Sequence, residues 1–261
     1  MIFLAFAGCS SVTVERDSAP GTPVDTSSVP DAIPKAEARS KYGNPESYVV
    51  FGKRYHVMKD NRVFTQQGIA SWYGKKFHGR RTSSGETYDM YAMTAAHKTL
   101  ILPAYVEVTN LRNGKRVVVK VNDRGPFHEN RIIDLSYSAA SKLDVIAKGT
   151  ALVKIRVVGP GYTYRQASRK QGAPVETIYL GHSPGDFFIQ VGAFTELGNA
   201  ENLRRKLTTI GNTLVKISQV IVDNKSLYRV RIGPLSDVKN ADKIVQKLIQ
   251  LDEYEHHIVI N

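Results

Sequence analysis

Hydrophobic and polar residues alternate in short runs through the middle of the chain. Four of these runs are rich in β-branched residues and bounded by Gly, Asn or Asp, namely residues 68–74, 105–111, 116–123 and 151–159. A period of two predicts half-buried strands, and Asn113-Gly114 between the second and third runs predicts a two-residue hairpin turn. Asp134 or Ser136 is placed to cap one short helix, YSAASKLDVI, which Gly149 follows. Many short strands with one small helix indicate a closed β-barrel.

The C-terminal part of the chain follows a different pattern, in which strand-like and helix-like segments are interspersed. The order is strand, helix, strand, strand, helix, strand, in DFFIQVGAF, NAENLRRKLTTI, TLVKISQ, LYRVRIGPL, DVKNADKIVQKLIQ and HHIVI. Asn199 is expected to cap the first helix, and Ser236 or Asp237 the second. This βαββαβ order predicts a ferredoxin-like α+β domain, with a four-stranded antiparallel sheet and both helices on one face.

Alternation along two strands of this sheet assigns its faces. The apolar positions are expected to point to the helices: Ile189, Val191, Tyr228, Val230 and Ile232. The positions between them are expected to face solvent: Phe188, Gln190, Arg229 and Arg231. An aromatic ring, an amide and two guanidinium groups suit stacking on sugars and recognition of their hydroxyl groups. These four residues are therefore candidate glycan-binding residues, with a plain solvated face as the alternative.

Two segments without apolar periodicity separate the patterned regions. Residues 10–47 are rich in Ser, Pro, Thr, Asp and Ala, which is typical of a flexible tether. Residues 159–176 are rich in Gly, Pro and basic residues and also lack apolar periodicity, which indicates an interdomain linker. The predicted organisation is a signal remnant at 1–9, the tether at 10–47, the barrel at 48–158, the linker at 159–182 and the second domain at 183–261.

The formal charge of +12 narrows the class of partner. Most of it lies between residues 66 and 158, whereas residues 183–261 are nearly neutral. A basic domain attracts polyanions such as nucleic acid, acidic lipid or an anionic wall polymer. The chain has no basic groove-reading helix, zinc-finger pattern or RNP1 motif. We therefore expect no nucleic-acid partner.

The single cysteine, Cys9, excludes an internal disulfide and stands in an informative setting. It ends the short apolar run IFLAFAGC, which resembles a bacterial lipobox in which Cys9 would be diacylated after signal cleavage. Two or three acyl chains would anchor the protein firmly to a membrane. Ser10, rather than Asp, follows the cysteine, and this resembles outer-membrane sorting with the protein facing the periplasm. The basic n-region of a signal is missing, which suggests a truncated start, and a chance or buried cysteine is the alternative.

Three stretches carry a resemblance to a known family: GIASWYGKKFHGRRTSSGETYDMYAMTAAHKTL, VEVTNLRNGKRVVVKVNDRGPF and RIIDLSYSAASKLDVI. In order and spacing they resemble the rare lipoprotein A family of septal lytic transglycosylases, and this implies a six-stranded double-psi β-barrel. FIQVGAF and YRVRIGPL resemble a SPOR domain, which binds septal glycan stripped of stem peptides. The chain departs from the family at TLILPAY and KLD, away from charged site residues.

The resemblance places the family's functional side chains on Glu86, Asp89, His97 and Asp123. A lytic transglycosylase needs one acid that later acts as base, because the 6-hydroxyl of N-acetylmuramic acid (MurNAc) attacks its own C1 and leaves a 1,6-anhydro end. Asp123 ends a strand and precedes the turn RGPF, so it is the candidate for this role, and an Asx-turn residue is the alternative. Asp134 matches another motif position and is interpreted as a helix cap outside the catalytic set.

Each of the other three candidates has a structural alternative. Glu86 could be a solvated loop tip, Asp89 could hold its own turn, and His97 could be a hydrogen-bonded core residue. Glu86, Asp89 and His97 could also bind zinc, but one His with two irregularly spaced carboxylates is a weak zinc signature. We expect no metal and no cofactor.

Two hypotheses from different classes follow. The first is an endolytic-type lytic transglycosylase that cleaves the β-1,4 bond between MurNAc and N-acetylglucosamine (GlcNAc) in naked glycan strands at the division septum, forming anhydro-MurNAc during daughter-cell separation. The alternative is a non-catalytic septal lipoprotein that binds or loosens the wall. The expected partners are denuded peptidoglycan strands and, through the lipid, a membrane, while divisome proteins are open.

Overall fold

The computed structural model describes residues 17–22, 24–128, 130–162, 187–208, 214–222, 225–250 and 257–260. Cys9 and nearly all of the expected linker therefore lie outside the described residues. In the parts of the chain that are described, no helix is long and apolar enough to cross a membrane.

The first domain is a closed six-stranded barrel preceded by a small hairpin. The hairpin comprises β1 (Ser47–Val50) and β2 (Lys53–His56). The barrel strands are β3 (Thr65–Trp72), β4 (Thr94–His97), β5 (Ala104–Asn110), β6 (Arg116–Asp123), β7 (Arg131–Leu135) and β8 (Ala151–Val157). They close in the order β3-β7-β4-β6-β5-β8, with β3–β7 and β4–β6 parallel and the other pairs antiparallel. The six-stranded barrel expected from the sequence is confirmed.

Alternation along the strands fills the barrel, because every second side chain points inward. The interior holds fully buried aliphatic side chains from all sides of the barrel: Val106, Val108, Val117, Val119, Val121, Ile133, Leu135, Val153 and Ile155. Asp134 lies at an outward position of β7, and a register shift between β4 and β6 places Asp123 in line with it.

The hairpin between β5 and β6 is present, but its loop is longer than the expected two residues. Asn110 and Lys115 are still paired, since the Asn110 N–H donates to the Lys115 carbonyl at 2.9 Å. Gly114 supplies the positive φ of +72° that the turn needs. Four residues, 111–114, therefore lie between the paired positions.

One short helix, α1 (Tyr137–Lys142), packs beside the barrel and is shorter than the sequence pattern suggested. Its cap is Ser136, whose Oγ accepts a hydrogen bond from the Ala139 N–H at 3.3 Å. Asp134 lies two residues earlier, within β7, and does not cap the helix. The interpretation of Asp134 as a helix cap is therefore wrong, because strand pairing holds that residue in β7.

The expected flexible tether is not what the structure shows for residues 24–46, which we call the strap. Asp31 forms an ion pair with Lys142 at 2.8 Å and accepts a hydrogen bond from the Val118 N–H at 2.9 Å. The Ala32 N–H donates to the Val118 carbonyl at 3.0 Å. Strand β4 pairs with β6 only from Lys120 onward, so the backbone of Val118 has an open edge that the strap completes. Barrel contacts order this segment despite its polar composition.

The second domain has the expected βαββαβ order. Its elements are β9 (Phe187–Phe194), α2 (Leu197–Leu207), β10 (Val215–Val222), β11 (Lys225–Leu235), α3 (Val238–Gln250) and β12 (His257–Ile260). The four strands form one antiparallel sheet in the order β10-β11-β9-β12. Asp237 caps α3, since its Oδ1 accepts from the Lys239 N–H at 3.1 Å. Asn199 lies inside α2 rather than at its cap, because the helix already begins at Leu197.

The two domains contact each other. Arg131 of β7 forms an ion pair with Asp242 of α3 at 2.7 Å, and Arg112 donates to the Ser236 carbonyl at 2.7 Å. Ile69 and Leu152 of the barrel are buried in the same apolar cluster as the core of the second domain. Each domain has its own strands and core, and this interface joins them.

Candidate active site

Asp123, at the end of β6, is held by one oxygen. Its Oδ1 accepts three hydrogen bonds, from the Ser83 N–H at 2.8 Å, the Ser83 hydroxyl at 2.7 Å and the Arg124 N–H at 2.7 Å. Among the described residues, none donates to Oδ2. Ser83 is far away in sequence, so the carboxylate does more than close a local turn. The arrangement fixes the carboxylate through Oδ1.

A second carboxylate, that of Asp134, lies in the same row of the barrel surface. Ala96 of β4 pairs with Asp123 on one side and with Asp134 on the other, and Asp134 in turn pairs with Ser71. Directly paired residues point to the same face of a sheet. Strands are about 4.8 Å apart, so the two Asp Cα atoms, which lie on either side of Ala96, are about 10 Å apart. The sequence alone does not reveal that Asp134 lies near Asp123, because this depends on β4 lying between β7 and β6.

Burial changes the protonation of Asp134. Removal from solvent raises the pKa of Asp134 to about 6, against the opposing effects of the Ser71 hydrogen bond and of Arg131 and Lys98. The Ser71 hydroxyl donates to Asp134 Oδ1. The buried Tyr73 hydroxyl lies within electrostatic reach of both carboxylates. The pKa of Tyr73 is raised by burial first, then by Tyr88, Asp123 and Asp134.

Glu86 is anchored beside Asp123 by the residues that precede Asp123 on β6. Its Oε2 accepts from the Asn122 side-chain amide at 2.8 Å, and its Oε1 pairs with Lys120 Nζ at 2.8 Å. The Glu86 carbonyl accepts from the Thr82 N–H at 2.8 Å, which closes the loop that also carries Ser83. Glu86 is therefore a fixed carboxylate with a cationic partner, not a free loop tip.

His97 is buried, with 2% of its surface exposed. Its Nδ1 accepts from the Thr99 N–H at 3.2 Å and the Leu100 N–H at 3.1 Å, so the proton resides on Nε2, which is 3.3 Å from Gln66 Oε1. Burial first, and then Arg124 and Lys98, lower the pKa of His97 to about 3. The neutral ring suits a positioning role. The backbone carbonyl of His97 accepts a hydrogen bond from Arg124 Nη1 at 3.1 Å, and Arg124 directly follows Asp123.

Asp89 lies apart from these groups. Its Oδ1 accepts from the Tyr91 N–H at 2.9 Å, as in an Asx-turn. His78 Nδ1 lies 3.7 Å from Asp89 Oδ1 and accepts from the Met90 N–H at 3.2 Å. Within the described part of the chain, no hydrogen bond joins Asp89 to Asp123 or Glu86. Asp123 thus has Asp134 on the other side of Ala96 and Glu86 bound to the adjacent Asn122, while His97 contacts Arg124 and Asp89 lies on its own turn.

The candidate glycan face of the second domain agrees with the sequence at three of its four positions. Ile189, Val191, Val230 and Ile232 are buried toward the helices, as expected, with Tyr228 partly buried against the same cluster. Gln190 Oε1 accepts from Arg231 Nε at 3.3 Å on the opposite face. Burial first, and then Arg229, lower the pKa of Arg231, so the two guanidinium groups are neighbours.

Phe188 is the exception on this face, since only 3% of its surface is exposed. The expectation that it faces solvent is wrong. Its ring packs over Gly233, where an added Cβ would lie 2.9 Å from Phe188 Cδ1. The alternation of side chains is as expected, but the chain at Gly233 covers this position.

Among the described residues, no three His, Cys, Asp or Glu side chains form a group that could hold a metal ion. The Glu86 carboxylate binds Lys120 and Asn122, while His97 Nδ1 is occupied by backbone N–H groups.

Comparisons with known proteins agree with this division into two domains. Residues 65–155 match the protein family described as lytic transglycolase, and residues 183–259 match the SPOR domain family. Endolytic peptidoglycan transglycosylase RlpA of Pseudomonas aeruginosa strain UCBPP-PA14 is 42% identical over 274 residues, covering 88% of this chain and 79% of the relative. The protein of that name from Neisseria meningitidis serogroup B strain MC58 is 54% identical over 212 residues, covering 81% and 82%. The crystal structure of the P. aeruginosa RlpA SPOR domain is 28% identical, with a TM-score of 0.28, and covers 29% of this chain and 99% of that chain.

Proposed function

The chain belongs to the RlpA family of endolytic peptidoglycan transglycosylases, and we propose that it cleaves the MurNAc–GlcNAc β-1,4 bond of glycan strands that lack stem peptides. It is a lytic transglycosylase of the cell envelope, with a peptidoglycan-binding SPOR domain. The observation that carries the proposed chemistry is the Asp123 carboxylate, which is fixed through Oδ1 and open at Oδ2.

In the proposed reaction Asp123 acts twice. Its Oδ2 first donates a proton to the GlcNAc O4 atom as the bond to MurNAc C1 breaks, which leaves the carboxylate ionised. The MurNAc 6-hydroxyl then attacks C1, and Asp123 takes the hydroxyl proton. The glycosidic bond is replaced by the C1–O6 bond of 1,6-anhydro-MurNAc, and no water is consumed. The site therefore needs one proton-transfer group at this atom and no second nucleophile.

The neighbouring carboxylates support this step electrostatically. Positive charge develops on the sugar ring as the bond to the leaving group breaks. Glu86, held beside Asp123 by Asn122 and Lys120, is placed to stabilise that charge. Asp134, whose pKa is raised to about 6, holds its proton below that pH and then adds no negative charge beside Asp123. We assign Glu86 and Asp134 these supporting roles and His97 a positioning role.

The second domain is proposed to bring the barrel to its substrate. A nearly neutral domain has little net charge to attract the wall, so Gln190, Arg229 and Arg231 would recognise stripped glycan through direct contacts. Denuded glycan is abundant where stem peptides are removed, and we therefore place the protein at the division septum during daughter-cell separation. A lipid on Cys9, holding the protein to the outer membrane on its periplasmic side, completes the proposal.

The test is digestion of amidase-treated sacculi followed by mass spectrometry of the released glycans. The wild-type protein is expected to release fragments that end in anhydro-MurNAc, and Asp123→Asn to release none while folding normally. The control is Asp144→Asn, which removes a carboxylate from an exposed ion pair with Lys115. Products one water heavier would indicate a hydrolase. Absence of products from the wild-type protein, with glycan binding intact, would favour the non-catalytic alternative.

A further inference from the structure

The strap runs directly over the loop that carries Ser83 and Glu86. The Ser40 hydroxyl donates to the Ser84 carbonyl at 2.9 Å, and Arg124 Nε donates to the Gly43 carbonyl at 2.8 Å. A Cβ added at Gly43 would lie 2.6 Å from the Ser83 carbonyl oxygen, so the two backbones are in tight contact. The strap therefore touches the same residue that donates two hydrogen bonds to Asp123.

A strap carboxylate shares its cation with the site. Lys120 Nζ lies 2.9 Å from Glu37 Oε2 and 2.8 Å from Glu86 Oε1, so one ammonium group bridges the two carboxylates. The other oxygen of Glu37 accepts a hydrogen bond from the Tyr105 hydroxyl. Glu37 and Lys120 are three-quarters or more buried at their side chains, while 43% of the Glu86 side chain is exposed. The bridge therefore links an interior anchor to a carboxylate that solvent and substrate can reach.

The charges in this bridge reinforce each other. Burial by itself would raise the pKa of Glu37, but the hydrogen bonds from Tyr105 and Lys120 outweigh it and leave the pKa below its ordinary value. Burial would likewise lower the pKa of Lys120, but its contacts with Glu86 and Glu37 raise it. Glu37 is thus a carboxylate and Lys120 a cation at neutral pH.

We propose that Glu37 is a positioning residue for transglycosylation, which acts by holding Lys120 where its ammonium group fixes the Glu86 carboxylate beside Asp123. The inference rests on the proposed function. A lysine has a flexible stem, and restricting it is entropically unfavourable. Two anchored carboxylates define the ammonium position, whereas the exposed Glu86 alone would leave it mobile. Glu37 does not touch the sugar, and its effect reaches the reaction only through Lys120 and Glu86.

The strap offers a matched control for this inference. Asp31 also holds the strap to the barrel, through an ion pair with Lys142 at 2.8 Å whose exposure is close to that of the Lys120–Glu37 pair. None of its contacts described above reaches Glu86 or Asp123. Asp31→Asn therefore weakens the attachment of the strap, whereas Glu37→Gln removes charge from the bridge to the site.

The experiment measures kcat, KM and thermal stability on amidase-treated glycan for the full chain and its variants. Glu37→Gln is expected to lower kcat about tenfold with little change in KM, as for loss of an interaction used in the transition state. Combined with Glu86→Gln, it should lower kcat no further than Glu86→Gln alone, because both act through one group. Asp31→Asn should lower the melting temperature and leave kcat unchanged.

Tyr105→Phe gives a second measurement that keeps Glu37 charged and removes only the hydroxyl that anchors it. We expect a smaller loss of kcat, again absent in the Glu86→Gln background. The inference is overturned if Glu37→Gln has wild-type kcat, if its effect adds fully to that of Glu86→Gln, or if Asp31→Asn lowers kcat equally. A wild-type protein that releases no glycan would overturn the proposed function, and this inference with it.

Discussion

Replacing Asp134 by Asn should make the protein more stable at neutral pH. Burial raises the pKa of this carboxyl from an ordinary 3.8 to about 6. A group with a raised folded-state pKa contributes stability below its unfolded pKa and loses that stability as the pH rises through the folded value. A rise from 3.8 to about 6 corresponds to about 3 kcal/mol. Ionising Asp134 in the folded state is therefore unfavourable by that amount above pH 6.

The substitution isolates this effect because asparagine keeps the shape and the oxygen of aspartate. The Ser71 hydroxyl, which donates to Asp134 Oδ1, can donate equally to the amide oxygen. We expect Asp134→Asn to be up to about 3 kcal/mol more stable than the wild-type protein at pH 7 to 8. The difference should shrink between pH 6 and pH 4, and vanish below the ordinary pKa, where both side chains are neutral.

Urea unfolding followed by tryptophan fluorescence is the suitable assay. The chain contains one tryptophan, Trp72, which ends β3 next to Ser71 and reports on the barrel. Asp144→Asn serves as the control, because its exposed pair with Lys115 should contribute little at any pH. The reasoning is refuted if Asp134→Asn is less stable than the wild-type protein at pH 7.5, or if its advantage persists unchanged at pH 4. A gain in stability with a loss of turnover would mark Asp134 as a functional group kept against stability.

Three further predictions concern other parts of the molecule. Because the pKa of His97 is lowered to about 3, the free energy of unfolding decreases as the pH falls from about 6.5 toward 3. His97→Gln should make this decrease smaller in the same urea assay, and an unchanged dependence on pH would contradict the prediction. Gln190→Ala with Arg229→Ala should weaken binding to denuded glycan in a pull-down and leave turnover by the barrel unchanged, and equal binding would count against this face. Asp242→Asn should leave Arg131 buried without its partner and increase protease cleavage between the domains, which an unaltered digestion pattern would exclude.

Local sequence signals were sufficient for much of the fold. The β-branched runs predicted β5, β6 and β8, because pleated, half-buried positions favour such residues. Strand β4 was not predicted, since its four residues, TAAH, gain their strand conformation from parallel pairing with a distant segment. The strap was missed for a related reason, because its composition resembles a linker and only its barrel partners order it. Local sequence patterns predict individual strands and helices, whereas β4 and the strap are ordered by tertiary contacts with other parts of the chain.

The candidate site divides in the same way. Asp123 and Glu86 stand in motifs that sequence reasoning could find, and the structure anchors both. The pairing of Asp134 with Asp123 across Ala96 depends on the order β7-β4-β6, which no local pattern contains. In the second domain, the alternation of side chains predicts the face of the sheet on which Phe188 lies. It does not predict that Phe188 is buried there by the backbone at Gly233.

The N-terminal region also contacts the barrel close to the position of the proposed lipid. Asp17 accepts hydrogen bonds from the Gly74 and Lys76 N–H groups at 2.8 and 3.1 Å, ahead of the strap. With a lipid on Cys9, as proposed, only the chain from residue 9 to residue 17 separates the anchor from the barrel, a contour length of at most about 28 Å. A fully extended tether through residue 47 would allow about 130 Å. The attached segment would thus limit cleavage to glycan close to the membrane, and a longer reach would first require Asp17 to release the Gly74 and Lys76 N–H groups.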